Sequence, residues 1–196
     1  MRKAFPLAAS TVVAGLLAAA PALAEPRDYV IDKSHFSIVF NADHIGYAPT
    51  WGMFLDGEGS FTFDEETRDL SDLRVTIDPA SVFSNDDARD GHLRSKDFLD
   101  AEAHPEITFV MTGAEEKTER TGTVTGDLTL RGVTRPVTLD VTWNKSGAYP
   151  WGENYVIGIS ARTTLTRSDF GMTYAVDNGL VGDEVEIRID LEAIRQ

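Results

Sequence analysis

Apolar and polar residues alternate along most of this chain, in short runs separated by turn-forming residues. A period of two marks a β-strand with one buried face. Phe36, Ile38 and Phe40 alternate with Ser37 and Asn41. Met53, Leu55, Phe61 and Phe63 share one parity, against Asp56, Glu58, Ser60 and Thr62. Gly57 and Gly59 fall on the apolar parity, where a missing side chain lets a strand bend. Leu73, Val75 and Ile77 form another run, as do Ile107, Phe109 and Met111. Gly126, Leu128 and Leu130 follow, then Val137 to Trp143, then Tyr155 to Ile159. The cleanest run sets Val185, Ile187, Ile189 and Leu191 against Glu184, Glu186, Arg188 and Asp190.

Turn chemistry punctuates these runs at Arg131-Gly132, between Asn144 and Asn154, and at Asn178-Gly179 and Gly182-Asp183. Such short connections force antiparallel pairing, because a parallel crossover needs about a dozen residues or more. One stretch lacks alternation and predicts a helical insert around residues 86–102. Asn85 or Asp86 caps its first turn and Gly91 interrupts it. Ser95 then caps a second short helix carrying Phe98 and Leu99, ended before Pro105. The expected fold is all-β: a closed antiparallel up-and-down barrel of about eight strands, since closure removes exposed edges. A barrel of that size is filled by side chains or holds one ligand.

Alternation does not say which face is inside, and a membrane barrel shows the same pattern inverted. Three features favour a soluble barrel without stable membrane insertion. The chain ends in Ile194-Arg195-Gln196 rather than an aromatic, aromatics do not cluster at strand ends, and a charged insert interrupts the strands.

The beginning of the chain sets the expected compartment. Arg2 and Lys3 precede an uncharged stretch, Leu7 to Leu17 is an apolar core, and Ala22-Leu23-Ala24 follows Pro21. This is the layout of a secretory signal peptide, residues 1–24, cut between Ala24 and Glu25. Residues 25–196 then form one domain, in the periplasm of a Gram-negative-type envelope. The apolar run is short for a membrane span. There is no cysteine, so neither a disulfide nor a lipoprotein signal is present. The full chain of 196 residues carries a net charge of −14. Removing Arg2 and Lys3 makes it more acidic still, which repels nucleic acid and anionic membrane surfaces.

Candidate chemistry is sparse. His35, His44, His92 and His104 form no His-x-His or His-x-x-x-His pair, and no metal site is expected. No Gly-x-Ser-x-Gly elbow and no phosphate-binding glycine loop occurs.

The chain resembles the YceI family of periplasmic polyisoprenoid-binding, lipocalin-like proteins, from Tyr29 to about Ala193. The resemblance is carried by Tyr29-Val30-Ile31-Asp32-Lys33-Ser34-His35-Phe36, His44-Ile45-Gly46 and Gly52-Met53-Phe54. It continues through Asp90-Gly91-His92-Leu93-Arg94-Ser95-Lys96-Asp97-Phe98-Leu99-Asp100 and His104-Pro105-Glu106-Ile107-Thr108-Phe109. Gly126 to Val137, Arg167-Ser168-Asp169-Phe170-Gly171-Met172 and Val181-Gly182-Asp183-Glu184-Val185 complete it. The chain departs at Leu99, where a second aromatic is common.

The resemblance implies non-catalytic binding, sequestration or transport of a long-chain polyisoprenoid, quinone-like or of the polyprenyl phosphate type, with no other cofactor. It also allows an interaction module docking to a membrane redox protein such as a cytochrome. A barrel-based hydrolase or isomerase using His35, His92 and Asp169 is a further alternative. Oligomeric state stays open, a homodimer included. The candidate apolar lining is Phe36, Ile38, Phe40, Phe61, Phe63, Ile107, Phe109 and Met111, with Leu93, Phe98, Phe170 and Met172 near a mouth. Plain core packing would place the same residues inside equally well. Candidate head-group or mouth residues are His35, His92, Arg94, Arg167 and Asp169. Arginine would grip a pyrophosphate bidentately; Arg167 and Asp169 would alternatively pair with each other or with nearby backbone and lock their loop.

Overall fold

The computed structural model describes residues 25–196. The expected leader and its terminal Ala24 lie outside the described residues. The strands are β1 (Arg27–His44), β2 (Ala48–Phe54), β3 (Gly57–Phe63), β4 (Leu70–Ile77) and β5 (Val82–Phe83). After helix α1 (Asp87–Arg94) come β6 (Ile107–Thr118), β7 (Thr121–Leu130), β8 (Val133–Ala148), β9 (Tyr155–Thr166) and β10 (Val181–Arg195). All pairings are antiparallel, and β1 closes the ring by pairing with both β10 and β3. Eight strands make the closed barrel, and β2 with the short β5 continues it along the far half of β1.

The side-chain parity of β1 reverses once. Tyr29 and Ile31 point inward near its start; beyond a register shift between Ile31 and Phe36, the inward set is Phe36, Ile38 and Phe40. The neighbouring β2–β3 chain reverses at Leu55-Asp56. Phe54 faces in before the break and Phe61 after it, while Leu55 is 65% exposed. The shared parity expected for Met53, Leu55, Phe61 and Phe63 is therefore corrected. A strand alternates only while its pairing is continuous. Here the amides of Leu55 and Asp56 leave the ladder and donate to Ser81 Oγ, each at 3.1 Å.

The insert also differs from expectation. Asp86 caps α1, accepting from the Arg89 amide at 2.8 Å, but the helix runs through Gly91. Ser95 ends this helix rather than starting another. The next residues fold back: Leu99 N–H donates to Leu93 O, Asp100 N–H to Ser95 O and Ala101 N–H to Arg94 O. Phe98 and Leu99 lie in this turn, both nearly buried.

One end of the barrel is sealed. Tyr29 stacks on Phe61 at 5.3 Å between centroids, and Phe63 meets Trp143 edge-on at 5.4 Å. Glu65 accepts from the Tyr29 hydroxyl at 2.9 Å, the Tyr155 hydroxyl at 3.1 Å and Ser146 Oγ. Burial first, and the Glu65 carboxylate second, push the Tyr29 phenol well above the usual tyrosine range. Its hydroxyl stays a donor to Glu65.

Candidate functional site: an apolar cavity with one mouth

Above this floor the barrel is hollow. The cavity measures about 540 Å³, within the range of small-ligand sites. Its wall draws on every strand of the ring, deepest at Phe61, Leu70, Leu73, Ile159 and Leu191. Of the expected lining, Phe36, Ile38, Phe40, Phe61, Leu93, Phe98, Ile107, Phe109 and Met172 all face it. Three expected residues do not. Phe63 sits in the floor against Trp143. Met111 lies at a β-bulge opposite Gly126 and packs into the surrounding core. Phe170 is 3% exposed but is used up in the core cluster beneath the late turn.

The opposite end is open. Lining residues there are half exposed: Ile45 at 46%, Tyr174 at 46% and Leu180 at 45%. Two segments distant in sequence meet at this mouth. His92 stands edge-on to Phe98 at 4.9 Å and to Tyr174 at 4.8 Å. Arg167 lies 5.7 Å from the Phe98 ring centroid.

Arg167 is a lock, not a free head-group donor. Its side chain is almost wholly buried and donates to the carbonyls of Gly182, Met172, Tyr174 and Val181 at 2.7–2.9 Å. Burial pushes its guanidinium pKa down, and the nearby Asp183 carboxylate opposes that. Asp183 in turn accepts from the Ser168 amide and hydroxyl. The motifs at 167–172 and 181–185 are thus two halves of one clasp. Of the two locks expected for Arg167, the backbone one is present and the pair with Asp169 is not. Asp169 is exposed, and its carbonyl accepts from Arg135 at 3.3 Å.

His35 and Arg94 are also displaced from the expected site. The bulge in β1 turns His35 outward. Its Nδ1 lies 2.9 Å from Asp32 Oδ2, and Asp32 also accepts from the amide and hydroxyl of Ser34. The hydrogen bond to Asp32 first, and Glu192 second, hold the His35 pKa above the usual histidine value. Donor atoms of Asp32, His35 and Glu192 lie within 4.8 Å of one another, a grouping whose first two members already cap the bulge. Arg94 reaches outward to the carbonyls of Ala80 and Val82 at 3.3 and 3.4 Å.

Among the polar residues that face the cavity without having been expected there are Arg89 and His44. Arg89 is bound to Ser84 by Nε and one terminal nitrogen, and Ser84 is fixed by the buried Asp90 carboxylate. The available signal was spacing: Arg89 precedes His92 by three, so both share one face of α1.

The fold and this cavity define a class: a closed antiparallel barrel with an apolar interior, sealed at one end and open at the other. The YceI-like domain matches residues 29–193, and the chain belongs to that family. It is 39% identical over 192 residues to a UPF0312 protein of Pseudomonas savastanoi pv. phaseolicola, covering 97% of both chains. BcnA of Burkholderia cenocepacia has the same fold, with TM-score 0.75 and 26% identity over 83% of this chain and 98% of its own. A polyisoprenoid-binding domain from Saccharophagus degradans also shares the fold, with TM-score 0.62 and 15% identity over 86% of this chain and 98% of its own.

Proposed function

We propose that this protein binds a long-chain polyisoprenoid in its cavity without transforming it, and carries or sequesters it across the periplasm. The observation that carries this reading is an apolar cavity, sealed at the Tyr29–Phe61 floor and open where His92 meets Tyr174. A polyprenyl tail in water costs roughly 0.8 kcal/mol per methylene-sized group, and a closed apolar sheath removes that cost. The related fold of a polyisoprenoid-binding domain supports the ligand class. The leader-like residues 1–24 support export. Among the polar groups near the mouth, Arg167 is consumed by backbone carbonyls and supports the wall rather than chemistry. Arg89, His92 and His44 are the residues that would meet a head group.

The test is organic extraction of the purified protein followed by mass spectrometry. An isoprenoid is expected in stoichiometric amount. Protein that is empty, and that takes up no added isoprenoid, overturns the proposal.

A further inference from the structure

Apolar residues of the cavity mouth continue onto the outer surface. Ile45 and Leu180 line the cavity and are also nearly half exposed. The Ile45 amide donates to the Leu180 carbonyl at 3.2 Å, which joins the β1–β2 hairpin tip to the loop before β10. Beside Ile45, Tyr47 is 89% exposed, and Trp51 on the outer face of β2 is 55% exposed. At about 3.3 Å per residue, Trp51 lies roughly 13 Å behind Tyr47 along the strand.

The hairpin turn supplies a second, independent observation. The Tyr47 amide donates to the His44 carbonyl, and the central residues have φ of 59° at Ile45 and 72° at Gly46. Positive φ at both positions is the type I′ arrangement, which favours Asn-Gly. A β-branched residue at positive φ is a genuine outlier. The turn therefore holds an isoleucine out at the tip where a polar residue would fold more comfortably, and strain of that kind clusters at functional positions.

We propose that the Ile45–Tyr47 tip and Leu180 dock the mouth onto a zwitterionic lipid bilayer, with Trp51 at the headgroup level, so that the ligand passes between membrane and cavity without crossing water. Tryptophan and tyrosine favour that interfacial level. The net charge of −14 and Asp43 at the tip's base set the lipid type, because an anionic surface would repel them. Docking of this kind rests on the proposed lipid cargo for its purpose but not for its measurement.

The experiment is flotation with phosphatidylcholine vesicles, using protein produced from the full chain, alongside Ile45→Asn and Tyr47→Asp/Trp51→Asp variants. Uptake of an apolar fluorescent probe without vesicles reports the cavity separately. The parent is expected to float, less well when the vesicles contain anionic lipid. The double variant should lose at least tenfold in bound fraction. Ile45→Asn should lose severalfold while melting no lower than the parent, and the Tyr47→Asp/Trp51→Asp variant, whose substituted residues lie outside the cavity wall, should take up the probe as the parent does. Parent protein that stays unbound, or variants that float as well as the parent, overturn docking even if the probe enters. A tip substitution that changes only the mass in sedimentation overturns it in favour of a protein partner. Flotation without probe uptake upholds docking and defeats the cavity reading instead.

Discussion

The ring of Phe40 occupies the space that a side chain at Gly52 would need, across a β1–β2 pair in which the two residues face each other. A Cβ on Gly52 would stand 2.8 Å from Phe40 Cε2. Phe109 lies likewise over Gly126, diagonally across the β6–β7 pair, with Cε1 at 2.8 Å from such a Cβ. In both cases a large ring is laid against bare backbone instead of projecting to the barrel axis. Paired with alanine, the same phenylalanines would be pushed into the cavity.

Gly52→Ala is accordingly expected to drive the Phe40 ring inward. It should cost about 1–3 kcal/mol by overpacking and weaken uptake of an apolar probe. Adding Phe40→Leu should restore both. Denaturant melts and probe titration check this; a Gly52→Ala protein with parental stability and uptake would contradict it.

Replacing Arg167 with methionine keeps the volume but strips four carbonyls of their shared donor. Loss of a buried, fully bonded charge of this kind costs about 3–5 kcal/mol. Hydrogen exchange should rise first at 172–182, the segment the guanidinium holds. Asp169→Ala, on the exposed side of the same turn, should change stability by less than about 0.5 kcal/mol.

The Asp32–His35 contact makes a pH prediction. The His35 pKa is raised, so its contribution is complete below the unfolded histidine value and is lost as pH rises through the folded one. The Asp32 pKa is lowered, chiefly by Ser34 and then by His35, so its contribution is complete above the unfolded aspartate value and is lost as pH falls through the folded one. Both are complete between about pH 4 and pH 6.5. NMR titration of His35 should give a midpoint above about 6.5, falling toward that value in Asp32→Asn.

Two neighbours on β8 test the facing of the wall. Leu139 lines the cavity and Thr138 is on the outside. Leu139→Asp should abolish apolar probe uptake, because it places a carboxylate in an apolar wall. Thr138→Asp should leave uptake unchanged. Equal effects at the two positions would mean that probe binding is not inside the barrel.

The sequence by itself determined the strands, their antiparallel order and the closed barrel, because period-two alternation and turn residues are local signals. It also marked His92 to Phe98 and Arg167 to Met172 as segments to watch. Only the tertiary structure decided what those segments do. Parity was legible within each paired run but not across the breaks at 32–35 and 55–56, since a bulge is set by the partner strand and by Ser81, far away in sequence. Phe63 and Phe61 look alike as alternating aromatics, yet one lies in the floor and the other also faces the cavity. Arg167 looks like a head-group ligand until its four carbonyl partners, 5 to 15 residues onward, are brought around it. Whether the interior is hollow was likewise undecided by pattern. A filled core and a cavity want the same apolar residues, and the difference arises where rings such as Phe40 and Phe109 find glycine across the sheet and lie down against it.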